Sequence, residues 1–589
     1  NSDRDAGESL VPDTLARALI ARIDGTGEAP RLALKVAAVL GREFTLEGLQ
    51  AVYPVALQSH ELQQHLQSLV GQELLQCPRP GHYVFRHAIT RDVAYGLLPY
   101  ALRRDLHHSW ARQLAQHVAD TPSTLLAAPS AALLAHHWSH AEVAEQALQA
   151  SETAGMQALE RFANREAVHF LREALRWNEA LGRPSAPQRV ARWLSSLGLA
   201  HRLLGELPAS RQALEQALRE LHAPVPARTL AARSRVVWAL LQSGWRRPRV
   251  APADAQPNAA NTAVEAYAQL AMLAYYATDV ECLTACTVLA GRVAQTAAPS
   301  REVAALHGSL AHIAAFFRMP SAMQRLMEST HLVAQRVPTP LVIGTAHQYT
   351  GHLAACQGDF ARYEADMLRA QQAYAVLGRC RQLDEADTNL ACLFTHLGKL
   401  DAAWDISVVL EASGRARDDL QAAGWGMVGQ ARARMAQGQW AVVLERLAAC
   451  EPLVSDDLTK IEVAGTRALA LLRAGQATAA LAQALQAVER VERAQSTSYF
   501  SLLPYTYIME ALVQLAGDAA LPSAAAKAQA AVPRMLKAFR RYAGLLPMAR
   551  VQLAVWQGAA ANLQAGPGKA PEAERRWRRA WQWAAASQV

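Results

Sequence analysis

The sequence predicts a predominantly all-α fold: a small helical domain carrying one β-hairpin, followed by a long solenoid of paired helices. Three observations predict it. Hydrophobic residues make up 51% of the 589 and aromatic residues only 6%, an Ala- and Leu-weighted balance that suits close-packed helices better than strands. Apolar residues recur at helical spacing in segment after segment. A two-helix unit punctuated by glycine then repeats along the second half, in a chain several times the size of one ordinary domain.

The first helix is expected over Pro30 to Gly41, where a Pro suits the first turn and a Gly the stop. "TLEGLQAVY" gives a second. "SHELQQHLQSLVGQEL" gives a third, with Leu62, Leu66 and Leu69 on one face and Ser59 able to cap its start. "LLQCPRPGHYVFRH" places Leu74 to Cys77 and His82 to Phe85 on either side of a Pro/Gly turn, which predicts a hairpin. Three helices and a hairpin make a winged helix. Two amphipathic connector helices follow, with stripes Ile89, Val93, Leu97 and Leu102, Leu106, Trp110, Leu114, Val118. Arg103, Arg104, His107, His108 and Arg112 fall largely off the second stripe and are expected on a solvated face.

From about residue 131 the pattern is one of paired helices. "LGLAHRLLGELPASRQALEQAL" carries Gly198, Gly205, Leu214 and Ala217 at the offsets of a tetratricopeptide unit, with His201 where an aromatic is usual. An earlier unit fits through Gly155, Ala167, Leu171 and Ala174. Four later units turn at Gly358, Gly398, Gly438 and Gly475, spaced 40, 40 and 37 residues apart, so their helices are longer than those of the ~34-residue standard repeat. Gly at the turn allows a left-handed cap, and Ala at the crossing lets two backbones approach. Trp245 to Thr262 is Pro/Ala-rich and is expected to interrupt the array, and the tail is helical, with Trp577, Trp581 and Ala584 on one side. The expected organisation is a linker over 1–29, the winged helix and connectors over 30–120, a first repeat segment over 121–245, a loop over 246–262 and a second repeat segment over 263–589.

The 59 basic and 51 acidic residues leave a net charge of +8, too modest at this length to demand a nucleic-acid partner. Seven scattered cysteines fit reduced thiols, and the pair Cys282 and Cys286 has no second ligand pair nearby. No apolar run nears the ~20 residues of a membrane span and no signal peptide opens the chain, so a cytoplasmic protein without membrane contact is expected. No catalytic constellation or metal site is expected. No G-x-x-x-x-G-K-[ST] loop occurs, and His60 and His65 are five residues apart instead of the four a zinc-protease helix needs, which rotates them by roughly 140°. The adjacent pairs His107–His108 and His136–His137 diverge on a helix and are expected at surfaces or interfaces.

The runs "VPDTLARALIARIDGTGEAPRLALKVAAVLGREF", "YVFRHAITRDVAYGLLPYALRRDLHHSWARQLAQH" and "LLAHHW" resemble the C-terminal half of bacterial signal-transduction ATPases with numerous domains. The particular likeness is to the family that joins an adenylate/guanylate cyclase domain to an AAA-type ATPase and tetratricopeptide repeats, related to maltose-regulon activators. The resemblance implies an upstream ATPase module as partner, with ATP or ADP held in the parent protein and no cofactor in this chain. It also implies that His87, after the second hairpin strand, touches the nucleotide phosphates, and that a protein or small-molecule inducer binds the repeat superhelix. The polar opening from Asn1 is expected to be a cut from something longer.

The sequence therefore reads as the non-catalytic, regulatory portion of a nucleotide-switched ATPase. A free-standing tetratricopeptide scaffold is the alternative. A DNA-binding winged helix with Arg86, Arg91, Arg103 and Arg104 on phosphates is the third reading, disfavoured because Ser59 to Gln72 carries no Lys or Arg. His87 also has a second reading, as a histidine satisfied inside the winged-helix core.

Overall fold

The structure, a computed structural model, describes residues 13–120, 131–182, 185–226, 234, 249–494, 496–565 and 571–587. The chain divides into two compact units, one ending at Ser185 and the other starting at Ala186.

In the first unit, α1 (Asp13–Asp24) and α2 (Glu28–Leu40) precede β1 (Glu43–Thr45), α3 (Leu46–Val52), α4 (Ser59–Gly71), β2 (Leu75–Arg79), β3 (His82–Phe85) and α5 (Ala88–Gly96). Pro30 sits in the first turn of α2, where a missing N–H costs nothing, and Gly41 ends the helix at φ 138°. α3 starts where the Thr45 hydroxyl accepts the Gly48 N–H at 3.0 Å. Leu62, Leu66 and Leu69 of α4 are fully buried, each worth about 1.5–3 kcal/mol over exposure. The start of α4 differs from expectation: Glu61 accepts the Gln58 N–H at 3.0 Å, while Ser59, already inside the helix, donates its hydroxyl to Gln50 Oε1 at 2.6 Å.

The hairpin forms around Gly81, at φ 76°, with Leu75 opposite Phe85 and Arg79 opposite His82. A strand absent from the sequence reading, β1, pairs antiparallel with the other edge of β3 and gives the order β1-β3-β2. At three residues it is too short to show alternation, and its Phe44 is fixed by stacking on Tyr83 at 5.8 Å. The unit continues with α6 (Tyr100–Asp120), α7 (Ala131–His140), α8 (Ala144–Glu160) and α9 (Asn164–Ala180).

The second unit is an array of helix pairs: α10 (Pro187–Leu203) with α11 (Leu207–Glu220), α12 (Ala259–Tyr276) with α13 (Val280–Val293), α14 (Arg301–Phe316) with α15 (Pro320–Arg336), and α16 (Pro340–Gln357) with α17 (Phe360–Ala375). Then come α18 (Arg381–His396) with α19 (Leu400–Ala416), α20 (Leu420–Ala436) with α21 (Trp440–Cys450), α22 (Asp457–Arg473) with α23 (Ala477–Arg493), α24 (Leu502–Ala516) with α25 (Pro522–Leu545), and α26 (Arg550–Ala565) with α27 (Pro571–Ser587). No described helix is long and apolar enough to cross a membrane. Of the Pro/Ala-rich interruption, residues 245–248 lie outside the described residues, 249–258 are non-helical, and α12 begins at Ala259 with Asn258 as its cap.

Every pair from α12 to α23 turns on a left-handed residue: Thr278, Arg318, Gly358, Gly398, Gly438 and Gly475, with φ between 53° and 86°. The first five stand 40 residues apart. The N–H after each reaches back to the carbonyl five residues earlier, as in Asp359 to Ala354 at 3.0 Å and Lys399 to Phe394 at 2.9 Å, which satisfies helix-end acceptors. Gly198 serves close approach instead: a Cβ there would lie 2.6 Å from Leu214 Cγ.

First helices pack on the first helices of neighbouring pairs, α12 on α14 and α20 on α22 among them. The array coils tightly enough that α12 also meets α22, five pairs on, and α16 meets the turn Pro547–Ala549.

Candidate functional site

Charged side chains are rare inside Ala- and Leu-rich helices, yet one first helix after another carries them inward. α10 supplies Arg202, α12 Glu265, Gln269 and Tyr276, α14 Arg301 and Glu302, α18 Arg381 and Glu385, and α20 Gln421, Trp425 and Arg432. The coil brings these together along one inner face, where Arg202, Arg381 and Arg432 meet partners from other repeats.

Arg381 is the centre. Its Nη1 donates to both carboxylate oxygens of Asp419 at 2.6 Å and its Nη2 to Gln421 Oε1 at 2.6 Å, with the Tyr276 hydroxyl 3.4 Å away. Its Nε lies 3.3 Å from Glu385 Oε1, and the guanidinium stands 4.3 Å from the Trp425 ring centre. Burial is the largest influence and opposes its charge, but Asp419, Tyr276 and Glu385 together outweigh it and hold Arg381 well above its ordinary value. Asp419 also accepts the Ala422 N–H at 3.0 Å, so one carboxylate both starts α20 and neutralises Arg381.

Arg202 is less well provided. Its Nε donates to Gln269 Oε1 at 2.9 Å, but Nη1 is buried with no acceptor among the described residues. Burial first, and then the positive charge of Arg381, push its pKa down. Glu265 is similarly tuned. Burial and then the charge of Glu302 push its carboxyl up to about 7, against the opposing pull of Arg301 and Arg192. Arg301 pairs with Glu302 at 3.0 Å, and about a third of the Arg301 side chain still reaches solvent, so this part of the inner face is wet. Further along, Arg432 and Glu462 form a buried ion pair at 3.2 Å.

The sequence offered one signal for this face: a lone charge within an otherwise apolar helix, Glu265 in "TAVEAYAQL". Such positions read as exposed unless the partner helix is known.

His87, the residue singled out by sequence, is the N-cap of α5 and is exposed, with its backbone extended at φ −129°, ψ 137°. The alternative of a histidine inside the core therefore does not hold. Arg86 beside it pairs with Glu73 at 3.1 Å. Of the expected solvated set, Arg104 and Arg112 are exposed, but His107 is buried, and so is His137. Gly205, Gly358, Gly398, Gly438 and Gly475 all take the left-handed turn, and Ala217 is buried beneath its crossing. Cys282 and Cys286 face each other at 3.9 Å and belong to no group of three or more ligands among the described residues.

By fold class the chain is an α-solenoid of tetratricopeptide-like helix pairs with a small three-stranded sheet near its start. No protein-family model matches the sequence, and no curated protein does. Among solved structures it is similar to a signal transduction ATPase with numerous domains bearing a tetratricopeptide repeat sensor, from Pyrococcus horikoshii. That likeness has 9% identity and a TM-score of 0.31, and covers 93% of this chain and 66% of that one. It is also similar to yeast Tom70, at 12% identity and a TM-score of 0.33, covering 82% and 96%. A third likeness is to the Cut9–Hcn1 hetero-tetramer of the APC/C, at 12% and 0.27, covering 82% and 94%. At such identities and scores, function has to be read from the chain's own residues.

Proposed function

We propose that this chain is the non-catalytic regulatory and sensor portion of a nucleotide-switched signalling ATPase, whose repeat interior receives an anionic group carried by an inducer or a protein partner. The observation that carries the reading is Arg202, a guanidinium whose Nη1 is buried and unpaired among the described residues, close to the charge of Arg381. A buried donor without an acceptor costs about 1–3 kcal/mol, and a ligand carboxylate or phosphate would supply both acceptor and countercharge.

The first unit acts as a winged helix. The order helix, strand, helix, helix, strand, strand from Glu28 to Phe85 supports that reading, as does the exposure of His87 at the start of α5. An imidazole there can donate to a phosphate oxygen of ATP or ADP held in the ATPase module. Ligand binding in the repeats would have to favour one of two arrangements of these parts to act as a signal.

Two measurements test the proposal. Calorimetric titration of the chain with hexaglutamate and with inorganic phosphate should show binding of at least one, lost in Arg202→Gln; no binding of either removes the inner-face reading. With the native upstream residues joined on, His87→Ala should speed ADP release, and unchanged retention removes the phosphate contact.

A further inference from the structure

Histidines rarely gather without a reason, because each brings a nitrogen that needs a partner whichever tautomer it adopts. Four do so between α6 and α7. His107 and His137 are each only 1% exposed, and their Nδ1 atoms lie 2.8 Å apart. His136 extends the group: one ligand atom from each of His107, His136 and His137 falls within 4.8 Å of the others. The His140 ring lies 4.2 Å from that of His136 and 4.8 Å from that of His107. Its Nδ1 is 2.8 Å from the His136 carbonyl, which leaves Nε2 free to bind.

Hydrogen bonding alone does not satisfy this packing. If His107 gives its Nδ1 proton to His137, then His137 carries its own proton on Nε2. If His137 gives the proton, its Nε2 keeps a lone pair. In both cases Nε2 of His137 is buried and has no partner among the described residues. Among the described residues, no carboxylate or thiolate belongs to the group of ligand atoms.

We propose that His107, His136 and His137 bind one zinc ion, with His140 placed to close the fourth position. Neutral imidazoles without carboxylates suit a borderline divalent ion and not calcium or magnesium. A tetrahedral ion at about 2.0–2.1 Å from each nitrogen needs ligand atoms a little over 3 Å apart. One nitrogen from each of the three already lies within 4.8 Å of the others, close to that value. An outer partner is also in place: the Tyr95 hydroxyl lies 2.9 Å from His107 Nε2 and orients the ring once Nδ1 binds the ion. Arg91 and Arg103, 5.5 and 5.2 Å from the Tyr95 ring centre, oppose a cation by repulsion; Arg91 spends its donors on the Ala38 carbonyl and Asp92. The ion would staple α6 to α7, so that the last connector helix and the first helix of the pairs could not separate.

The test uses the full chain, stripped with EDTA, reloaded with zinc chloride and passed through gel filtration before metal analysis. About one zinc per chain is expected, with a raised melting temperature, and cobalt in its place should give the visible bands of a tetrahedral site. His136→Gln, at an exposed position, should fold normally and weaken zinc binding by about tenfold or more. His107→Gln combined with His137→Gln should abolish it, while His108→Gln should leave it unchanged. No retained zinc, or retention indifferent to His136→Gln, overturns the proposal.

Discussion

The hydroxyls of Tyr363 and Tyr499 meet at 2.7 Å although 136 residues of chain separate them. Tyr499 also donates to the Asn389 carbonyl at 3.0 Å, and the two rings sit edge to face with centres 5.3 Å apart. Contacts of this kind, between repeats several pairs apart, turn a chain of nearest neighbours into a closed coil. Tyr499→Phe keeps the ring and removes the hydroxyl, so urea unfolding should show a loss of about 1–3 kcal/mol. An unchanged midpoint would mean that the coil is held by apolar packing alone.

Arg381 and Asp419 are both nearly fully buried, at 4% and 2% exposure. Removing one partner strands the other charge, so Arg381→Met should destabilise the array by about 3–5 kcal/mol. Adding Asp419→Asn removes the stranded charge while keeping a side-chain oxygen for the Ala422 N–H. Much of the stability should return in the double variant, and additive losses would show that the pair does not interact as described.

His307 gives the array an acid limit. It is 2% exposed, with Nδ1 3.0 Å from the Ser329 hydroxyl, and burial holds its imidazole down to about 4. The unfolded chain takes up a proton near pH 6.5, which the folded chain refuses until about pH 4. Its contribution is therefore complete above pH 6.5 and falls as pH drops through that window, by up to about 3 kcal/mol. His307→Gln should lose less stability than the native chain between pH 7 and pH 4.5; equal losses would rule His307 out as the cause.

The turns offer a paired test. Thr278 is β-branched and held at φ 53°, where such a side chain is strained. Thr278→Gly should therefore stabilise by about 0.5–1 kcal/mol, whereas Gly398→Ala, at φ 73°, should destabilise by about 1 kcal/mol. Thermal melts that moved both variants in the same direction would contradict the left-handed assignment.

The turns also show how far the sequence could be read. Gly358, Gly398 and Gly438 announce their units because only glycine takes the left-handed cap without strain. The units turning at Thr278 and Arg318 keep the same 40-residue step but hide it behind residues that pay in strain for the same conformation. The hairpin shows in Pro80–Gly81, while β1 has no pattern of its own. The inner polar face is invisible for another reason: Arg381 meets Tyr276 from 105 residues away, and no local pattern encodes that distance. The histidine cluster lies between these cases. Adjacent histidines on one helix leave the backbone in different directions, yet nitrogens of His136 and His137 come within 4.8 Å of each other and of His107, which belongs to another helix. The i, i+4 spacing of His136 and His140 was the signal within reach.

The constant step between left-handed turns has an architectural corollary. Excising residues 319–358 would join Arg318 directly to Asp359, and the two backbones already match, because each cut falls just after the same turn position. Such a splice would be silent locally. It would nevertheless shift every later repeat by one place around the coil, so that α12 would face α24 instead of α22. Length in this array is thus a tuned quantity, since the number of units decides which residues share the interior.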